Sequence, residues 1–590
     1  MHRPDRALRE GIVAWVAVLA APTVIQAAVL REDPQTLSWT GEGPFAGMAA
    51  VAWLPDPDHV IRGLIIRPCH GRPPGSDNRS WARAPLAAIE GIDGEGAMTK
   101  RLARRYNFAV IGLAHCPGDE HWRESGGGGQ DRAGPSTRAL LQMLEELATL
   151  GFPEFENAPL LTFGGSHAGV ASWSIACALP DRVLAAAPND PMVCLPGIMP
   201  RDAFEVPVYF SQGRLANGQD DKEERTMREA RRHGARIAYS NIEGNGHEDG
   251  PTFDLVFPLL ETAIRLRLDP AADPQQGPIR LLSIPLESGW LVGADFRSGL
   301  QSAAPYEDYP GDPRDAFWLP EKSLAHTYRG LSADGSIHVL HASPSDEPSR
   351  YLGMTRPHVP LDPDRPVAND AKAFDALARP GETIELAVEK QRGEPAPVTD
   401  WAMIEFFRDG ESIGRIDSGA PRMRVTLTDS GRLFQTFTAV VTDGDGIQRA
   451  TRYGATLAVE PPDPVPLLPP LLRQPLAPAR PLAFSGSIEI RELESTAAVV
   501  LPPQITTAAE RVQVRLTWHE EGREVETRSS GWTWIRPDAE GTPPFAADGL
   551  RPNSNQRLRI EARCGPGLPV AARTEMTIHT PRRTRSASNR

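Results

Sequence analysis

Short, nearly uninterrupted apolar runs alternate with longer amphipathic stretches along the first half of the chain. Residues 60–68, 107–114, 160–163, 182–188, 206–211 and 237–242 are six such runs. A run apolar at successive positions, rather than at every second one, predicts a strand covered on both faces. Between them, a helix is marked by Ser136 at its start and by Leu140, Met143, Leu144 and Leu147 on one face, and Gly151 and Pro153 stop it. A second helical stretch covers 253–268. Strands alternating with helices at this spacing predict a mostly parallel sheet with helices on both faces.

Beyond about residue 350 the period changes to two. Residues 382–388, 403–408, 425–428 and 435–442 alternate apolar and polar positions, with turns at Arg408-Asp409-Gly410 and Asp443-Gly444-Asp445-Gly446. This predicts a small immunoglobulin-like β-sandwich over 351–460. A proline-rich linker, 461–482, reads as a semi-rigid spacer. A second sandwich, 483–580, is built on 487–491, 512–518, 530–535 and 558–562 and, like the first, resembles an immunoglobulin or fibronectin type III sandwich, and a basic tail at 581–590 reads as disordered. Residues 271–350, with Trp290, Phe296, Phe317 and Trp318, read as an extension whose aromatics seal the edge of the first unit. Such an α/β unit buries its own sheet, so a chain ending near residue 350 is expected to fold and function without the sandwiches.

The chain has 590 residues, 58 of them proline and 52 glycine, which fits several modules better than one compact unit. Arg3, Arg6 and Arg9 precede the apolar stretch 11–21, and Ala27 and Ala28 offer a cleavage point. A signal peptide over 1–27 follows, with a secreted or periplasmic mature chain (28–270 for the first domain) that has no further membrane span. The net charge of −13 excludes nucleic acid as the expected partner. Scattered histidines, no Cys-x-x-Cys pair, and glycines 126–129 without a following Lys-Ser/Thr give no metal and no cofactor. Of the five cysteines, Cys69 and Cys116 follow neighbouring strands and suit a disulfide; Cys177 and Cys194 form a second candidate pair, leaving Cys564.

The chemistry concentrates where the run Leu160-Leu161-Thr162-Phe163 breaks into Gly164-Gly165-Ser166-His167-Ala168-Gly169. A serine on a tight strand-to-helix turn needs small residues two before and two after it, here Gly164 and Ala168. The amide of His167 then points toward a developing oxyanion, and an amide at Gly71, in the Cys69-His70-Gly71 turn after 60–68, can supply a second donor. His247, on the glycine-rich 243–249 loop after the last apolar run, suits a general base.

These residues together resemble the α/β-hydrolase superfamily over roughly 35–270, and 47–55 with 62–64 is similar to the first hairpin of secreted bacterial esterase-like members. The resemblance implies a Ser166–His247–acid triad and hydrolysis of a carboxylic ester, with polysaccharide or polyester esters among the substrates. It also implies an acid three residues after Gly213, where Ala216 stands; Asp220 is the preferred replacement, with Asp221 and Asp190 as alternatives. The missing acid equally suits a second function class: a hydrolase-like cell-surface binding or adhesion protein with impaired catalysis.

Overall fold

The computed structural model describes residues 29–33, 36–40, 49–68, 95–114, 135–191, 199–213, 222–242, 252–294, 300–331, 338–346, Leu352 and most of 377–581. Residues 1–27, read from sequence as a signal peptide, and the tail 582–590 lie outside the described residues. Among the described residues, no helix is long and apolar enough to cross a membrane.

A nine-stranded mixed sheet comes first: β1 (Val29–Asp33), β2 (Thr36–Thr40), β3 (Ala49–Trp53), β4 (Gly63–Pro68), β5 (Phe108–Ala114), β6 (Leu160–Gly165), β7 (Val183–Asn189), β8 (Val208–Gly213) and β9 (Ile237–Ile242). Their spatial order is β1-β2-β3-β5-β4-β6-β7-β8-β9. β1, β2 and β3 run antiparallel to their neighbours, and β5 through β9 are parallel to one another. The expected buried strands therefore sit side by side, and β4, β5 and β7 are buried at every position. One pairing differs from expectation. β3 makes its hairpin with β2 and then pairs with β5, so 62–64 does not follow it in the sheet.

Among the described residues six α-helices, α1 (Glu95–Tyr106), α2 (Pro135–Ala148), α3 (His167–Ala178), α4 (Lys222–Arg232), α5 (Phe253–Arg267) and α6 (Lys322–Leu331), flank the strands. α1 packs on α5, and α2 on α3. Successive residues of β6 show the two faces: Thr162 donates to Ser172 of α3, at 3.1 Å, while the Phe163 ring meets Phe257 of α5 edge-on at 5.4 Å. α3 is buried from His167 to Cys177, which accounts for its apolar character all round. The α2 residues named from periodicity, Leu140, Met143, Leu144 and Leu147, are all inside.

Residues 271–331 seal the β9 edge. β10 (Trp290–Val292), β11 (Ala303–Pro305) and β12 (Phe317–Leu319) form a small antiparallel sheet. Phe317 packs at a tilt on Tyr239 and edge-on against Tyr328, and the Tyr328 hydroxyl donates to the Tyr239 carbonyl. The stretch read as an extension is nevertheless divided. β13 (His338–Pro344) pairs along its whole length with β15 (Thr383–Lys390), so it is a strand of the first sandwich.

That sandwich sets β13, β15, β16 (Ala396–Pro397) and β19 (Arg422–Thr426) against β14 (Leu377–Ala378), β17 (Met403–Arg408), β18 (Glu411–Ile416), β20 (Phe434–Thr442), β21 (Gln448–Ala450) and β22 (Ala455–Val459). Leu340, Leu386 and Val388 from one sheet meet Phe406, Phe437 and Leu457 from the other. Asp409 and Gly410, at φ 51° and 78°, make the tight β17–β18 turn expected of that sequence. In the acidic turn, Asp443 Oδ1 accepts from the amides of Asp445 and Ile447. The second sandwich encloses Val500, Val512, Leu516, Leu558 and Ile560.

Both sandwiches are packed against the α/β unit, contrary to the expectation of independent modules. Glu261 of α5 is buried, and its carboxylate accepts from the backbone amides of Leu433 (2.6 Å) and Phe434 (2.9 Å) and from the Tyr106 hydroxyl (2.9 Å). Burial raises its pKa, opposed by those donors. Phe434 stacks on Phe257, and Leu433, Ala458 and Leu468 belong to the main core. From the second sandwich, Arg563 forms a buried ion pair with Glu156, and Arg515 bridges Glu145 and Glu561.

The described part of the proline-rich stretch is a strap rather than a spacer. Proline has no N–H, so such a segment presents unpaired carbonyls, and the α/β unit supplies donors for them. Val60 N donates to Leu471 O at 2.8 Å and Arg62 Nη1 to Pro469 O at 2.9 Å. Arg473 then enters the unit itself: it ion-pairs with the fully buried Glu154 at 2.6 Å, donates to the carbonyls of Pro57, His59 and Gly151, and covers the Phe152 ring.

Two outcomes follow. A chain ending at residue 350 loses the Leu433 and Phe434 amides from Glu261, the Phe434 ring from Phe257 and Arg473 from Glu154, so it should be insoluble or melt about 10 °C or more below the full chain; a thermal melt of the two proteins checks this, and equal melting would show independent folding. His326 of α6 gives a pH dependence. It lies between Trp290 and Phe407, with Arg329 donating to its Nδ1 at 2.9 Å. Burial, then the nearby Arg329 and Lys322 charges, push it down from 6.5 to about 3. Its folded pKa lies below the unfolded one, so its contribution is complete above pH 6.5 and is lost as pH falls toward 3, by about 1.4 kcal/mol per unit. Urea melts between pH 4 and 7 should show this slope in the wild type and a flatter one in His326→Gln.

Candidate functional site

β6 ends in a turn that holds Ser166 at φ 55° and ψ −123°, a conformation that costs on the order of 1–3 kcal/mol for a side chain-bearing residue. Such a conformation persists only where the surroundings impose it, and here they are identifiable. Ser166 N donates across to Asn189 O, at the end of β7, at 2.9 Å. A Cβ on Gly164 would sit 2.6 Å from the Ala168 Cβ. A Cβ on Gly169 would sit 2.7 Å from Asn189 O and 3.1 Å from both Gly164 O and the Pro191 Cβ. α3 can thus start directly over the ends of β6 and β7 only with small residues at these positions.

The pairing of Gly164 with Ala168 matches the small positions read from sequence, and Gly169, given no role there, makes the closest backbone approach. Its signal was available: a third small residue one helical position further on.

The Ser166 side chain does not cap α3, and the residue is partly exposed. Its carbonyl accepts from Gly169 N and Val170 N, which opens the helix. The first amides of a helix have no intrahelical acceptor and carry the positive end of its dipole. His167, buried, is the first residue of α3, so its amide is one of them. On the neighbouring strand β4, Arg67 is buried with its guanidinium 4.0 Å from the centre of the Phe163 ring. The helix N-terminus favours negative charge at the turn. Arg67 was not singled out from sequence, because one arginine in an apolar strand carries no pattern of its own.

At the end of β7 the chain turns sharply. Asn189 Oδ1 accepts from the Ser211 hydroxyl, and Asp190 N donates to Ser211 O at 2.7 Å. Asp190 itself has φ 42° and is 1% exposed. Of the residues proposed for the site, the structure therefore brings together Ser166, His167, Gly164, Ala168 and Asp190.

Gly71, Asp220, Asp221 and His247, together with Ala216, lie outside the described residues, as do Cys69, Cys116 and Cys194. Their segments leave the sheet from described strands, after Pro68 of β4, Gly213 of β8 and Ile242 of β9. These strands are parallel to β6, so all three segments depart from the edge of the sheet that carries Ser166. Open parallel sheets place ligand sites at this carboxyl edge. Cys177 is buried in α3.

No family model matches the chain, and no curated protein matches it. Among solved structures, the central fibronectin-III array of RIM-binding protein is 11% identical over 34% of this chain and 65% of its own length, with a TM-score of 0.12. The fibronectin(III)-like modules of Clostridium thermocellum CbhA are 10% identical over 37% of this chain and 93% of theirs, with a TM-score of 0.12. A thermostable esterase is 17% identical over 35% of this chain and 54% of its own, with a TM-score of 0.26. The chain thus spans just under two thirds of the first of these and about half of the esterase.

Proposed function

We propose that the chain is an exported serine hydrolase that cleaves carboxylic esters. The observation that carries this reading is Ser166, held at φ 55° on the turn from β6 to α3 with its hydroxyl not engaged in capping. A strained serine at the carboxyl edge of a parallel sheet, beside a helix N-terminus, is the arrangement that a nucleophile requires.

In the proposed reaction, Ser166 Oγ attacks the acyl carbon while His247 takes its proton. The tetrahedral oxyanion forms against the amides of His167 and Gly71. Collapse expels the alcohol, which receives the proton from His247. Water, deprotonated by the same histidine, then releases the acid and restores Ser166. The dipole of α3 acts in favour of that oxyanion.

Asp220 is the acid carried forward from the sequence. A second reading is favoured by one observation: Asp190 is buried and follows, in the chain, the carbonyl that holds Ser166 N. A carboxylate there belongs to the same rigid strand end as the nucleophile's support. As for substrate, the two sandwiches are docked on the α/β unit rather than tethered to it by a free linker.

Ser166→Ala should abolish labelling by a fluorophosphonate probe and lower turnover of a short acyl ester by about 10³-fold or more with unchanged melting. A folded wild type that neither labels nor hydrolyses would refute the assignment and leave the binding-protein class. The acid is decided by comparing Asp220→Asn with Asp190→Asn. The member of the triad should lose about 10²–10⁴-fold in kcat, and the other should stay within about two-fold.

A further inference from the structure

We propose that Ser211 of β8 is a positioning residue for the nucleophile: it holds the Asn189–Asp190 peptide in the orientation that keeps Ser166 at its positive φ. The inference rests on the reading of Ser166 as the nucleophile.

The Asn189–Asp190 peptide group is engaged at both ends. Its carbonyl, Asn189 O, accepts from Ser166 N at 2.9 Å, and its N–H, on Asp190, donates to Ser211 O at 2.7 Å. One rigid plane thus links β8 to the turn after β6, and it cannot rotate at one end alone. The orientation of that plane is not the one the chain would choose unaided. Asp190 stands at φ 42°, a second strained non-glycine residue beside Ser166 at φ 55°. A flip of the plane, through Asn189 ψ and Asp190 φ together, would relieve Asp190 and take the acceptor away from Ser166 N.

Ser211 opposes the flip with two bonds. Its carbonyl takes the Asp190 N–H, and its hydroxyl donates to Asn189 Oδ1. Together they close a ring that contains the Cα–C bond of Asn189, the bond about which the flip would start. Ser211 and Asp190 are each 1% exposed and Asn189 4%, so water does not replace a donor that is lost. The held carbonyl also lies under the start of α3, since a Cβ on Gly169 would sit 2.7 Å from Asn189 O. Ser211 therefore acts on the nucleophile's backbone without meeting substrate. In the sequence it is a single serine closing the apolar run 206–211, which carries no pattern of its own.

The test uses the full chain. Ser211→Ala removes the hydroxyl and keeps the carbonyl, and Asn189→Ala removes the side-chain acceptor and keeps the peptide. Val208→Ala trims the core from the same strand and leaves both bonds in place, which measures the effect of lost stability alone. We expect kcat toward a short acyl ester to fall about 3- to 10-fold in each of the first two variants with KM within about two-fold, as a small misplacement of the attacking oxygen produces. The double variant should lose no more than the worse single one, because both groups act through one bond. Val208→Ala should melt earlier and keep wild-type kcat. Amide exchange, read residue by residue, should quicken about ten-fold at Ser166 and Asp190 in Ser211→Ala and stay unchanged at Phe163 of β6. Unchanged exchange at Ser166, unchanged kcat, additive losses in the double variant, or an equal loss of kcat in Val208→Ala would each overturn the proposal. Should Ser211→Ala not fold, Asn189→Ala carries the same readouts. Exchange does not depend on ester turnover. A folded wild type that does not hydrolyse therefore refutes the nucleophile reading separately, while exchange at Ser166 still decides whether Ser211 holds the turn.

Discussion

The structure depends most on α5 being buried on two sides. Its Phe257 meets β6 through Phe163 and the sandwich through Phe434. A helix so placed cannot carry exposed polar residues, and its carboxylates serve as acceptors for another domain's backbone: Glu261 for Leu433 and Phe434, Asp254 for Thr456. Hydrogen bonds to a charged or partly charged group are worth about 1.5–3 kcal/mol each, and a buried carboxylate stripped of its donors costs more than the bonds gained. The interface is therefore strong when complete and costly when cut, unlike a surface where two modules merely touch.

The same rigidity makes the Ser166 turn possible. A positive φ at a serine is retained only when its neighbours leave no cheaper alternative, and here α3 is pressed onto β6 and β7 at Gly164 and Gly169. Close-packed interiors transmit such constraints over several layers. The carbonyl of Asn189 holds the serine amide, Ser211 holds the Asn189 side chain, and Trp173 packs on Phe210 beneath them. The opposite edge of the sheet is closed differently. There, arginines donate to carbonyls of irregular backbone: Arg62 to Pro270 and Pro469, Arg182 to Phe155 and Ala158, Arg473 to Pro57, His59 and Gly151. The planar guanidinium, with five donors, suits several carbonyls at once.

Local pattern by itself determined much of this chain. Runs apolar at consecutive positions specify strands covered on both faces, and those at 107–114, 182–188 and 237–242 are β5, β7 and β9 within a residue or two. The spacing of Leu140, Met143, Leu144 and Leu147 specified the buried face of α2, because a 3.6-residue period leaves one choice. Glycines around Ser166 specified a tight turn, since steric demand at such a turn is local. Tertiary structure decided the rest. That β3 lies beside β5, that β13 joins the sandwich, and that the prolines at 461–473 form a strap all depend on partners outside the local stretch, in the strap's case hundreds of residues away. Glu261, Asp254 and Glu154 read as ordinary polar residues in a sequence. Only the fold, by removing water and supplying amides, hydroxyls and an arginine in its place, made them the joints between domains.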